Sequence, residues 1–75
     1  MILQYLSKVE VDGKKQVIET VKDNVTEVTE FVDKIEVTFS RKNGELYSVF
    51  FQKNHHQIFS MWLLNDNFKT LKRLI

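Results

Sequence analysis

Through the middle of the chain, apolar and polar residues take turns. In I-E-V-T-F-S-R, residues Ile35, Val37 and Phe39 alternate with Glu36, Thr38 and Ser40, the period of two that a half-buried strand produces. Asn43-Gly44 follows, a dipeptide that supplies the positive φ angles of a tight hairpin, and then a second apolar stretch around Tyr47, Val49 and Phe51. A two-residue loop there would pair Val37 with Phe50, Phe39 with Ser48, Ser40 with Tyr47 and Lys42 with Glu45. Asn54-His55 reads as another tip, leading into Q-I-F-S-M-W-L-L. The pattern therefore predicts a three-stranded antiparallel meander over about 35–41, 46–52 and 57–64. One face would hold Ile35, Val37, Phe39, Leu46, Phe50, Phe59, Met61 and Leu63. The other would hold Tyr47, Val49, Phe51, Ile58, Trp62 and Leu64. Both faces are apolar, so both need a cover.

Upstream, the pattern is ambiguous. Ile18, Val21, Val25, Val28, Val32 and Ile35 are spaced 3-4-3-4-3, which lines one side of a helix. Against one long helix stand the many β-branched residues, Lys14 and Lys15 at the positive end of its dipole, and Asp33 at the negative end. Asn24-Val25-Thr26-Glu27 also has the arrangement of a helix N-cap with its reciprocal acid. The favoured expectation is a hairpin, 4–11 with 15–22 around Asp12-Gly13, followed by a short helix at 25–33. One helix over 14–33 is the alternative.

The C-terminal segment N-D-N-F-K-T-L-K-R-L-I predicts a second helix at about 66–75. Asn65 or Asp66 would cap it, Phe68, Leu71, Leu74 and Ile75 would dock, and the basic residues near its end would suit the dipole. The expected architecture is thus α+β: an antiparallel sheet with a helix on one face and a short C-terminal helix on the other or at the edge.

Composition narrows the class. Seventy-five residues make one domain, 1–75, near the lower limit for an independent hydrophobic core. With no cysteine, neither disulfides nor a thiolate-bound zinc can staple it. No apolar run reaches the length needed to span a bilayer, and the N-terminus lacks the pattern of a signal peptide. A cytoplasmic protein without membrane contact is expected. The Lys-, Asn- and Ile-rich make-up is of the kind AT-rich bacterial or phage genomes encode. The formal charge of +1 conceals an asymmetry: residues 1–37 carry five Lys against eight acids, and residues 38–75 carry six Lys and Arg against two.

Candidate chemistry is sparse. His55 and His56, the only histidines, are adjacent, and adjacent side chains on a strand point to opposite faces. A single metal cannot easily take both, and no acid or thiol lies near in sequence to complete a shell. Glu27, Glu30 and Asp33 read as a solvent-facing stripe. No phosphate loop, nucleophile arrangement or dinucleotide fingerprint is present. No enzyme, cofactor or metal is expected.

Two surfaces remain for a partner. The aromatic second face, with Tyr47, Phe51, Ile58 and Trp62, has the composition of an interface hot spot. A basic set, Arg41, Lys42 and Lys53 from the hairpin tips with Lys69, Lys72 and Arg73 from the C-terminal helix, could contact phosphates. Beside stacked rings it would suit single strands.

The stretch N-H-H-Q-I-F at a hairpin tip is similar to the Gly-Ser-His-His segment of HicA-type toxins, small RNA-cleaving domains, and N-F-K-T-L-K-R-L-I resembles their final helix. It lacks the Gly-Ser and the proline-containing strand that follows. The resemblance would make His55 or His56 a general base on a ribose 2′-OH. Helix–three strands–helix also resembles the double-stranded RNA-binding domain. That family's histidine-bearing loop is here Lys42-Asn43-Gly44-Glu45, so its function does not carry over.

The sequence thus points first to a non-enzymatic protein-binding module, an inhibitor, adaptor or subunit, with homodimerisation a further expectation. Nucleic-acid binding is the alternative and RNA cleavage a distant third.

Overall fold

The computed structural model describes residues 1–54 and 57–75 and is all-β. Seven strands form: β1 (Ile2–Val11), β2 (Lys14–Lys22), β3 (Val25–Glu30), β4 (Lys34–Ser40), β5 (Leu46–Gln52), β6 (Ile58–Leu64) and β7 (Thr70–Arg73). They make two antiparallel sheets, of order β2-β1-β6-β7 and β3-β4-β5. The expected α+β class is overturned. Its antiparallel sheet content is present, but both helices are absent.

The segment at 25–33 is a strand because four of the six residues in V-T-E-V-T-E are β-branched, a composition that fits a pleated surface better than a helix. The helix-like spacing has a different origin. The β3–β4 register shifts between Val25 and Glu27, so one extra residue separates two core-facing valines. Val25 lies opposite Phe39 and Val28 opposite Val37. A β-bulge thereby yields an apolar spacing of three on one strand. Ile18 and Val21 instead lie on opposite faces of β2, and Val32 stands at a hairpin tip, 98% exposed. The six apolar positions do not share one side: Val25, Val28 and Ile35 face the core, and the others do not line up with them.

The C-terminal helix is overturned by its own capping residue. Asn65 Oδ1 accepts hydrogen bonds from the backbone N–H groups of Asn67 (2.9 Å) and Lys69 (3.0 Å). The Phe68 N–H donates to the Asn65 carbonyl, and the Asn65 N–H to the Lys69 carbonyl. Asn and Asp close turns as readily as they cap helices. Here they close the β6–β7 hairpin, at the cost of a left-handed Phe68 with φ 62°.

The meander is also divided. β4 and β5 pair, but β6 leaves them and inserts beside β1 in the other sheet. The expected pairing of the second and third meander strands is therefore not formed. The β4–β5 register differs by one residue from the expectation: Val37 faces Val49, Phe39 faces Tyr47 and Ile35 faces Phe51. The loop holds three residues, Lys42-Asn43-Gly44, closed by Arg41 and Glu45. Such a slip turns a whole strand over.

The core lies between the sheets. Leu3, Met61 and Leu74 from one pack against Val25, Ile35, Val37 and Phe39 from the other, all nearly inaccessible. Tyr5 and Phe51 meet across the gap with centroids 5.6 Å apart. At one corner the sheets are joined by backbone: Met1 and Val25 exchange N–H···O bonds of 3.2 Å. Among the described residues, no helix is long and apolar enough to cross a membrane.

Candidate functional site

A two-sheet fold of this kind leaves four edge strands, β2 and β7 in one sheet and β3 and β5 in the other. Unpaired strand edges expose rows of backbone donors and acceptors, which a further strand can use. Two of the four are blunted. β3 is bulged near its start, and β7 has only four residues and a register shift against β6. β2 and β5 are regular along their length.

On β5 the hydrogen-bonding phase follows from the ends of the β4–β5 pair. Arg41 donates to Glu45 at one end, and Lys53 donates to Asp33 at the other. Odd-numbered residues of β5 therefore face β4, and Leu46, Ser48 and Phe50 turn their backbone groups outward. Their side chains lie on the outer face of the sheet. Leu46 is 63% exposed and Phe50 52%. Lys34 Nζ lies 5.0 Å from the Phe50 ring centroid and 5.4 Å from that of Phe31. The result is an apolar edge ending in two rings around one cation.

Tyr47 and Phe51 sit on the same strand but on its other side. They are half-buried against the inter-sheet core. Ile58 is on β6, packed on the same core from the opposite sheet, and Trp62 is on the outer face of that sheet, opposite Gln4 and Arg73. The Arg73 guanidinium lies 5.6 Å from the Trp62 ring centroid. The structure thus brings Tyr47 and Phe51 onto one strand, joins Ile58 to them only through the core, and sets Trp62 apart. Leu46 and Phe50 were missed as candidates because the expected register turned them inward. Asn43-Gly44 suits either loop length, and β5 is apolar in both phases, so only the turn could have revealed them.

The basic candidates are dispersed. Arg41 and Lys42 stand at one end of the β4–β5 hairpin, and Lys53 follows β5 at the other. Lys69 belongs to the turn before β7, while Lys72 and Arg73 lie on β7. Lys72 is engaged in an ion pair with Glu30. The one local gathering is at the Arg41 end. There the guanidinium stacks 4.4 Å from the Tyr47 ring centroid, Tyr47 stacks on Phe39 at 5.4 Å, and Lys22 approaches Phe39 at 5.6 Å. An open recess of about 480 Å³ beside this column is lined by Asp23, Asn24, Ser40, Arg41, Lys42 and Tyr47.

His55 and His56 lie outside the described residues. The final helix of the HicA-type resemblance is here the strand β7, so that resemblance loses its second element. Glu27 lies on the outer face of β3, Glu30 pairs with Lys72, and Asp33 is in the β3–β4 turn. Among the described residues no three His, Cys, Asp or Glu side chains gather closely enough to hold a metal ion. No protein-family model, curated protein or solved structure matches the chain.

Proposed function

We propose that this chain is a non-enzymatic, cytoplasmic protein-binding module that captures its partner by adding a strand to the free edge of β5. The observation that carries the reading is the coincidence of two features on one strand. The residues that turn backbone donors and acceptors outward are the same ones whose apolar side chains, Leu46 and Phe50, stand in solvent. Main-chain bonds give such a complex its affinity, and alternate side chains give its specificity. Tyr47 and Phe51 would support the added strand from the inner side.

The test is affinity capture from the native host with cross-linking and mass spectrometry, comparing variants. Ser48→Pro removes an outward N–H and no bond to β4, and Phe50→Asp places a charge where apolar contact is required. Both should abolish cross-links to the edge while Trp62→Ala, on the other sheet, retains them. Capture that survives both β5 variants would dismiss the reading.

A second reading rests on the Arg41–Tyr47 stack beside Lys42, an arrangement of ring and cation that suits an unstacked base next to phosphate. It ranks lower because Asp23 lines the same recess and Lys53, Lys69, Lys72 and Arg73 lie elsewhere. It requires single-stranded RNA or DNA to bind with an affinity that falls steeply with salt and is lost in Arg41→Glu. Absence of binding at low salt would remove it.

A further inference from the structure

The second regular edge, β2, carries an inference independent of the β5 reading. Its sequence is K-K-Q-V-I-E-T-V-K, and much of it is exposed, with Val17 60%, Ile18 44% and Val21 45% accessible. It is the second-longest strand, pairs with β1 without a bulge and has no sheet neighbour on its other side.

Which backbone groups point outward is again determined by the neighbours. Lys8 donates its N–H to Gln57 at the β6 side of β1, so even-numbered residues of β1 face β6 and odd-numbered ones face β2. Across the β1–β2 register, Ser7 opposes Ile18 and Val9 opposes Gln16. Even-numbered residues of β2 are therefore bonded to β1. Lys15, Val17, Glu19 and Val21 present free N–H and C=O groups to solvent.

Antiparallel pairing of two identical strands requires outward residues to meet outward residues, which leaves few registers. The alternatives can be ranked by charge. Centred on Ile18, the pairing opposes Lys14 to Lys22. Centred on Glu19, it opposes Glu19 to itself. Centred on Val17, it sets Val17 against Val17 and Lys15 against Glu19, the latter a pair of opposite charges that occurs twice by symmetry. Opposite charges directly across a strand pair are favourable and like charges unfavourable. We propose that β2 is a homodimerisation edge, joining two copies about a two-fold axis through Val17 into one continuous eight-stranded sheet. About six backbone hydrogen bonds cross the axis between Lys15 and Glu19.

The register makes the test specific. Sedimentation analysis of the purified chain should show a reversible monomer–dimer equilibrium. Lys15→Glu alone, and Glu19→Lys alone, each oppose like charges twice and should weaken the dimer about tenfold. The double exchange Lys15→Glu with Glu19→Lys should restore it to within about threefold of the original. Val17→Pro deletes the central donor but no β1–β2 bond, and should leave the circular dichroism spectrum unchanged while removing the dimer. The proposal is overturned by a monomer at about 0.5 mM, by a dimer indifferent to the charge exchanges, or by one that Ser48→Pro breaks. The last result would place self-association on β5. A monomer would leave the β5 reading intact, because that reading needs no second copy.

Discussion

The two glycine hairpins begin from nearly the same signal and end differently. In β1–β2 the loop is Asp12-Gly13, and both residues take positive φ, 52° and 76°. That is the two-residue turn whose twist matches the strands. In β4–β5 only Gly44 is left-handed, at 87°. Asn43 instead uses its side chain, whose Oδ1 accepts the Glu45 N–H at 3.0 Å, and Lys42 joins the loop. One added loop residue turns β5 over. The outcome is a strand with Tyr47, Val49 and Phe51 on the core and Leu46 and Phe50 in water. The comparison teaches that Asn-Gly specifies a turn but not its length. Where both phases of a strand are apolar, the pair of residues that closes the turn decides which residues form the core.

The sharpest contrast between the hairpins is in what their strands bury. Phe39, 1% exposed on β4, should cost about 3–5 kcal/mol when replaced by alanine, whereas Val17→Ala on β2 should cost less than about 1 kcal/mol. Urea unfolding of the two variants measures the difference, and equal losses would break the comparison.

Next in size is the turn itself. A methyl group on Gly44 meets nothing within 4 Å, so Gly44→Ala should cost only the left-handed backbone penalty of about 1–2 kcal/mol. A larger loss in the same titration would mean that the loop contributes contacts as well as direction. Phe68, left-handed in the β6–β7 turn and 64% exposed, gives the converse. Phe68→Gly should raise stability by about 1 kcal/mol, read as a higher thermal midpoint.

The smallest expected effect is the most diagnostic. Deleting Lys42 leaves Asn43-Gly44 between Arg41 and Glu45, a two-residue loop that closes the same pair. The β4–β5 register should survive, with a change under about 1 kcal/mol. Cross-strand nuclear Overhauser effects between Phe39 and Tyr47 would verify it. Their replacement by contacts between Phe39 and Ser48 would show that the longer loop is what holds β5 in place.

Much of the strand content was legible in the sequence, for stated reasons. The alternation from Ile35 to Phe39 identifies β4 and its buried face, and the two glycine dipeptides mark their hairpins. What escaped was the order of strands in the sheets. β6 follows β5 by a short connection, and local reasoning pairs neighbours, yet β6 belongs beside β1. Its bulge places Ile58 and Met61 on one side, opposite Ser7 and Tyr5, another spacing of three within a strand. The helices were misread because bulges imitate helical periodicity and because Asn65 has two uses. Of the candidate site, the pattern places Tyr47 and Phe51 on one strand, but as part of the central strand of a meander. That β5 is an edge, and that Leu46 and Phe50 are its exposed members, depended on a strand order and a register that composition does not reveal.

The position of β1 has a kinetic consequence. It pairs with β2 across a two-residue turn, but its other neighbour, β6, comes from far along the chain: Leu3 opposes Leu63, sixty positions later. The hairpins β1–β2 and β4–β5 can therefore zip within microseconds of collapse, whereas closure of β1 on β6 must wait for a long loop to find its ends. The barrier to folding lies at that seam. Until it closes, the inner edge of β1 and the apolar face of β6 are open together, which makes the half-built sheet, rather than either finished edge, the point where this chain is most exposed to misassembly.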